Sequence, residues 1–143
     1  MTDELETKLR RLLNTAIRFV FGLRRDARML PYQRTLGWLT PLSRRNYFVA
    51  VQIHRVLRQG RPAYLQDMLT RRPPMDRALR SSARDVLSVP FADRETYKRG
   101  FVVWGSRFWN DLPASLTNIQ STPAFKIALK RYLLNQLGQE LAQ

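Results

Sequence analysis

The chemistry open to this sequence is narrow. Its one histidine, His54, stands between Ile53 and Arg55 with no second histidine to make a chelating or relay pair, so it reads as a structural or surface group. There is no cysteine, which removes thiol nucleophiles, disulfides and Cys-based zinc sites. Phe91-Ala92-Asp93-Arg94 imitates an acidic metal-binding hairpin. Such a hairpin needs adjacent carboxylates to hold two divalent ions, and here an arginine stands where the second belongs. A surface loop with a local Asp93–Arg94 pair is the better reading. Asp26, Asp67, Asp76, Asp85 and Asp111 are scattered singly among basic residues, and Ser81 and Ser82 have no neighbouring base to activate them. The six glycines are dispersed and form no phosphate-cradling cluster. The residues imply no active site, no metal and no cofactor.

What the chain has in quantity is guanidinium. It carries 25 basic against 11 acidic residues, a net charge of +14 over 143 residues, and every base except Lys8, Lys98, Lys126 and Lys130 is arginine. Arginine presents a planar fork that matches phosphate and stacks on flat rings. An excess of this kind points to a polyanionic partner, nucleic acid foremost. The candidate phosphate contacts fall in clusters. Arg24, Arg25 and Arg28 follow the first helical segment, and Arg34 lies in a short one behind it. Arg44 and Arg45 open a long helical segment. Arg71 and Arg72 begin a loop with Pro73-Pro74 that continues through Arg77, Arg80 and Arg84. Trp38, Trp104 and Trp109 could stack on unpaired bases, but aromatic residues at helical spacing are more often core. All three are expected to be buried, with Trp38 pinning a corner between two helices.

The elements that must position these groups are mostly helices. Asp3 with Glu6 resembles a capping box. Leu5, Leu9, Leu12, Leu13, Ala16, Ile17 and Val20 then predict one inward helical face, ending near Gly22. Pro31–Leu36 predicts a short helix stopped at Gly37. Thr40-Pro41 is a cap and first turn for a long helix to Gln59, with Gly60 as the stop. Its inward face is Leu42, Val49, Ile53, Val56 and Leu57, broadened by Tyr47, Phe48 and Val51. Pro62–Leu69 predicts another short helix, and Val86–Val89 an extended or β segment. Phe101, Trp104 or Gly105, and Phe108 fall one turn apart as an aromatic stripe, widened by Trp109 and Leu112, before Pro113 breaks the helix. Thr122 is the expected cap of a last helix, with Pro123 in its first turn and Phe125, Leu129 and Leu133 repeating every fourth residue. The fold class that follows is mainly α: a small bundle of short helices with a basic Pro-rich loop and at most a short β segment near 86–91. Three regions are expected, a helical one over 1–69, a basic linker over 70–95 and an aromatic-cored helical hairpin over 96–143.

Several of these pieces carry a resemblance. Leu23-Arg24-Arg25-Asp26, Pro31-Tyr32, Leu36-Gly37-Trp38-Leu39, Arg61-Pro62-Ala63-Tyr64-Leu65, Leu79-Arg80-Ser81-Ser82 and Val89-Pro90 precede Phe108-Trp109-Asn110-Asp111-Leu112-Pro113. Ser121 and Phe125-Lys126-x-x-Leu129-Lys130 then follow. In that order, from about Leu12 to Leu134, they resemble the C-terminal thumb and tail of a non-LTR retrotransposon reverse transcriptase, of the jockey-like or chicken-repeat-like clades. The resemblance implies a detached or reused end of an RNA-directed DNA polymerase, whose catalytic aspartates and palm lie upstream. Its implied partners are an RNA–DNA hybrid or duplex, gripped without reading sequence, and the polymerase palm itself. Two other classes stay open. Pro31–Leu36, the Gly37 turn and Pro41–Gln59 could imitate a helix-turn-helix, with Asn46 and Gln52 to read bases. A protein-interaction module is the other. The expected location is intracellular, nuclear or cytoplasmic, without secretion or a membrane span; the oligomeric state is left open.

Overall fold

The computed structural model describes residues 3–72 and 86–140. Within them the chain is helical: α1 (Asp3–Phe21), α2 (Leu30–Leu36), α3 (Pro41–Gln59), α4 (Ala63–Met68), α5 (Glu95–Lys98), α6 (Phe101–Asp111), α7 (Ala114–Thr117) and α8 (Thr122–Glu140). The β pairing among the described residues is one antiparallel bridge, Arg71 with Leu87, closed by Arg72 N–H to the Val86 carbonyl and Ser88 N–H to the Thr70 carbonyl, both 2.8 Å. The mainly α class and the short extended segment are therefore as the sequence reads. Pro73-Pro74, Arg77, Arg80, Arg84, Ser81, Ser82, Asp76 and Asp85 lie outside the described residues. No described helix is long and apolar enough to cross a membrane. The chain divides into two compact units, Met1–Tyr47 with Lys130–Gln143, and Phe48–Leu129.

In the first unit, glycines set the helix ends. Gly22 (φ +60°) ends α1, donating to the Phe19 carbonyl, while Leu23 N–H reaches back to Arg18 at 2.9 Å. Gly37 (φ +60°) ends α2 with the same pair of bonds, to Arg34 and, from Trp38, to Gln33. This is the Schellman arrangement, which needs a residue free to take left-handed backbone angles. Thr40 caps α3: its Oγ1 accepts the Ser43 N–H at 3.2 Å, with Pro41 in the first turn. Asp3 already stands inside α1, among the acids of the first turn, so the expected capping box is not formed by Asp3 ahead of the helix.

The inward face read for α1 is mostly outward. Ile17 is its buried residue, and Phe21 packs against Tyr32 with the rings tilted at 49° and 4.9 Å between centroids. Leu5, Leu9, Leu12 and Val20 are exposed. Of the face read from the pattern, Ile17 is buried and Leu13 half-buried, and the rest is uncovered among the described residues. Phe48 on α3 and Trp38 after α2 are likewise exposed, against the expected burial. Trp38 sits just past the α2 C-cap, where the Schellman turn carries it out to solvent.

The core of the second unit is an aromatic cluster at zero exposure. His54 stacks on Phe125 (4.3 Å, 15°), Trp109 tilts against Phe125 (5.8 Å) and lies 6.4 Å from His54. The buried line of α6 is Val103, Ser106 and Trp109, with Gly105 and Leu112; Gly105, Trp109 and Leu112 of the expected stripe are thus buried, whereas Phe101, Trp104 and Phe108 are half-buried. Close approach decides this. A β-carbon on Gly105 would lie 2.9 Å from Ile53 Cδ1 and 3.1 Å from Val49 Cγ1. α6 therefore presses Gly105 onto α3, with Trp109 buried one turn further along and Phe101, Trp104 and Phe108 left half-buried. Phe125 and Leu129 here, and Leu133 in the first unit, are buried as their spacing predicts.

Polar bonds tie the irregular segments to this core. Asn110 Nδ2 donates to the Leu87 carbonyl (2.8 Å) and Leu87 N–H donates to Asn110 Oδ1 (2.9 Å), so one side chain imitates a strand partner for the buried extended segment. Arg58 donates to the Thr117 carbonyl at 2.8 Å, fixing the short α7 that the sequence did not announce.

His54 is structural, as expected, and its bonds define its tautomer. Nε2 lies 2.7 Å from the Ile119 carbonyl, so it carries the proton; Nδ1 then accepts from the Thr122 hydroxyl at 3.3 Å. That bond displaces the expected Thr122 cap. α8 starts at Thr122, and its first helical bond runs from Phe125 N–H to the Ser121 carbonyl, which makes Ser121 the cap position. Burial first, and then the Arg58 charge, push His54 below its ordinary pKa near 6.5, against the pull of the Ile119 bond. The unfolded chain thus takes up a proton more readily than the folded one. The stability this histidine contributes is complete above pH 6.5 and is lost as pH falls toward its folded pKa. Urea unfolding at pH 7.5 and pH 5.5 checks this: the native chain is expected to lose more stability between the two than His54→Gln. An equal loss in both would show that His54 does not titrate on unfolding.

Candidate nucleic-acid interface

The arginines singled out from the sequence fall in both units. In the first, Arg24, Arg25 and Arg28 are exposed on the loop between α1 and α2, and Arg34 is exposed in the last turn of α2. The loop is held from within, because Arg18 Nη2 donates to the Arg25 carbonyl at 3.1 Å. Arg44 is exposed and Arg45 half-buried in the first turns of α3. Lys130 joins this basic group: its Nζ lies 3.6 Å from where a Gly37 β-carbon would stand, at the negative end of α2. Trp38 is exposed beside that glycine. In this unit an exposed ring and cations therefore share one helix end.

In the second unit Arg71 is the bridge partner of Leu87 and Arg72 follows it; both are exposed. Arg71 also has an internal task. Its Nη2 donates to the Leu57 carbonyl at 3.0 Å, in the last turn of α3, where a cation is favourable.

A second basic site in this unit was not read from the sequence. Arg55, Gln59, Arg61 and Lys126 line a hollow of about 590 Å³, with Gln52 and Thr122 among its other walls and no carboxylate among them. Gln52, Arg55 and Gln59 share one face of α3, opposite its buried Ile53 and Val56. Arg61 follows the left-handed Gly60 turn, and Lys126 lies one turn into α8. Three like charges around one concavity raise its positive potential and favour an anion with several oxygens. Thr122 is positioned there by His54, so the aromatic cluster and the basic hollow share a wall. Arg55 and Arg61 are exposed, and among the described residues neither makes an ion pair. The signal available in sequence was the polar stripe Gln52–Arg55–Gln59; its convergence with Lys126 required the fold.

Asp93 is exposed in the segment ahead of α5, and the expected pairing with Arg94 is not formed. Arg94 instead takes the position before α5, its carbonyl accepting from Tyr97 and Lys98 N–H. Of the two residues weighed as base readers, Gln52 lines the basic hollow and Asn46 is half-buried elsewhere on α3. A second, mainly apolar hollow of about 720 Å³ lies between α4 and the start of α6, with Tyr64, Met68, Tyr97 and Phe101 on its walls. No family model, curated protein or solved structure matches the chain.

Proposed function

We propose that this chain is a non-catalytic nucleic-acid-holding region, of the kind found in the thumb and tail of a non-LTR retrotransposon reverse transcriptase. It grips an RNA–DNA hybrid or duplex by the phosphate backbone while an upstream palm performs polymerisation. The observation that carries the reading is the acid-free hollow formed by Arg55, Arg61 and Lys126. Guanidinium and ammonium groups converging there suit phosphate oxygens. The exposed arginines of the α1–α2 loop, and Trp38 beside Lys130, supply further backbone and stacking contacts of the same sequence-blind kind.

Equilibrium binding to two duplexes of unrelated sequence, an RNA–DNA hybrid and a single strand tests the reading. Similar affinity for both duplexes and the hybrid is expected. A strong preference for one duplex sequence would favour the helix-turn-helix reading instead. Binding to none of them at moderate salt would leave a protein-interaction module. Incorporation of nucleotides by the purified chain, given template–primer and a divalent metal, would contradict its non-catalytic role.

A further inference from the structure

On α1, Leu5, Leu9, Leu12, Ala16 and Phe19 recur at alternating steps of four and three residues. That is the seam of a left-handed coiled coil. The five lie on the outward side of the helix: the four large residues are between 43 and 88% exposed, and Ala16 is exposed too. The residue that attaches α1 to its own unit, Ile17, lies off this seam. A lone exposed leucine needs no explanation. A regular seam along a 19-residue helix is a contiguous apolar face, and such faces mark contact sites.

Charge selects the occupant. The first turn of α1 holds Asp3, Glu4 and Glu6, whereas the remainder holds Lys8, Arg10, Arg11 and Arg18 and leads into Arg24 and Arg25. A second α1 running parallel would set acids beside acids and arginines beside arginines. Running antiparallel, it sets each acidic turn beside the other's basic end and opposes the two helix dipoles favourably. We propose that α1 is a self-association surface, pairing antiparallel with α1 of a second copy of this chain. Leu9 faces the partner's Phe19, and Leu12 faces its Ala16, so a large side chain meets a small one at the centre.

The experiment needs no nucleic acid, so it stands apart from the proposed function. Light scattering and sedimentation equilibrium should give about twice the monomer mass at chain concentrations on the order of 100 μM. The double variant Leu9→Glu with Leu12→Glu should return the mass to one chain, with unchanged helical circular dichroism. Because the chain has no cysteine, introduced thiols report the pairing directly. A mixture of Leu9→Cys and Phe19→Cys chains should form a 9-to-19 disulfide, and neither variant alone should cross-link. In the antiparallel pair two copies of position 9 are about 15 Å apart along the helix, far beyond disulfide reach. A native chain that is monomeric at these concentrations would overturn the proposal, whether or not the face binds lipid vesicles. Efficient 9-to-9 cross-linking would overturn the antiparallel arrangement.

Discussion

Replacing Trp109 by alanine is expected to destabilise the chain by about 3–5 kcal/mol. Trp109 has no exposed surface and packs against Phe125 and His54, whose rings stack at 4.3 Å. The cavity would open between helices already in close contact at Gly105, so α6 cannot move inward to fill it. Domains of this size are stable by only about 5–15 kcal/mol in total. The variant should therefore show a much lower urea midpoint or be unfolded at 37 °C. Trp38→Ala is the control. Trp38 keeps 37% exposure, and its removal should cost clearly less than that of the fully buried Trp109. Similar losses in the two variants would show that the aromatic cluster is not the stabilising centre of its unit.

The second large effect is expected on binding. Neutralising the hollow with Arg55→Gln, Arg61→Gln and Lys126→Gln should weaken duplex binding by on the order of 10²–10³-fold at about 0.1 M salt. The figure follows from three phosphate contacts, each adding about 0.9 to the salt slope, over a decade of salt below the concentration at which their contribution vanishes. None of the three is in the core, so thermal unfolding should change little. A parallel set, Arg24, Arg25, Arg28 and Arg34 to Gln, addresses the first unit. If that set abolishes binding while the triple variant keeps native affinity, the hollow is not the grip and the loop arginines are.

Local chemistry was legible in the sequence, and coverage was not. Gly22, Gly37 and Gly60 mark the ends of α1, α2 and α3 because a left-handed cap needs no partner beyond its own helix. Thr40 is readable for the same reason, as its hydroxyl reaches only to Ser43. Thr122 has the same residue type in the same context and still fails as a cap, because a buried histidine far away in sequence takes its hydroxyl. The α1 pattern identified an apolar face without saying whether anything lies on it. On α6 the spacing left Trp104 and Gly105 as alternatives, and packing selects the face of Gly105, Ser106 and Trp109, where a missing β-carbon lets the backbone approach α3. The charge clusters contiguous in sequence, such as Arg24-Arg25, were read directly. The hollow was not, since α3, the Gly60 turn and α8 each contribute a single cation. Nothing in the sequence links the amide of Asn110 to the backbone of Leu87.

The salt dependence of duplex binding by the native chain tests the central claim most directly. Fluorescence anisotropy with one short duplex, at several salt concentrations, gives the slope of log affinity against log salt. Backbone gripping through the hollow alone predicts a slope of about −2.7, steeper as the loop arginines engage, and the same value for an unrelated duplex sequence. A slope near zero, or affinity that survives high salt for one sequence only, would contradict the account.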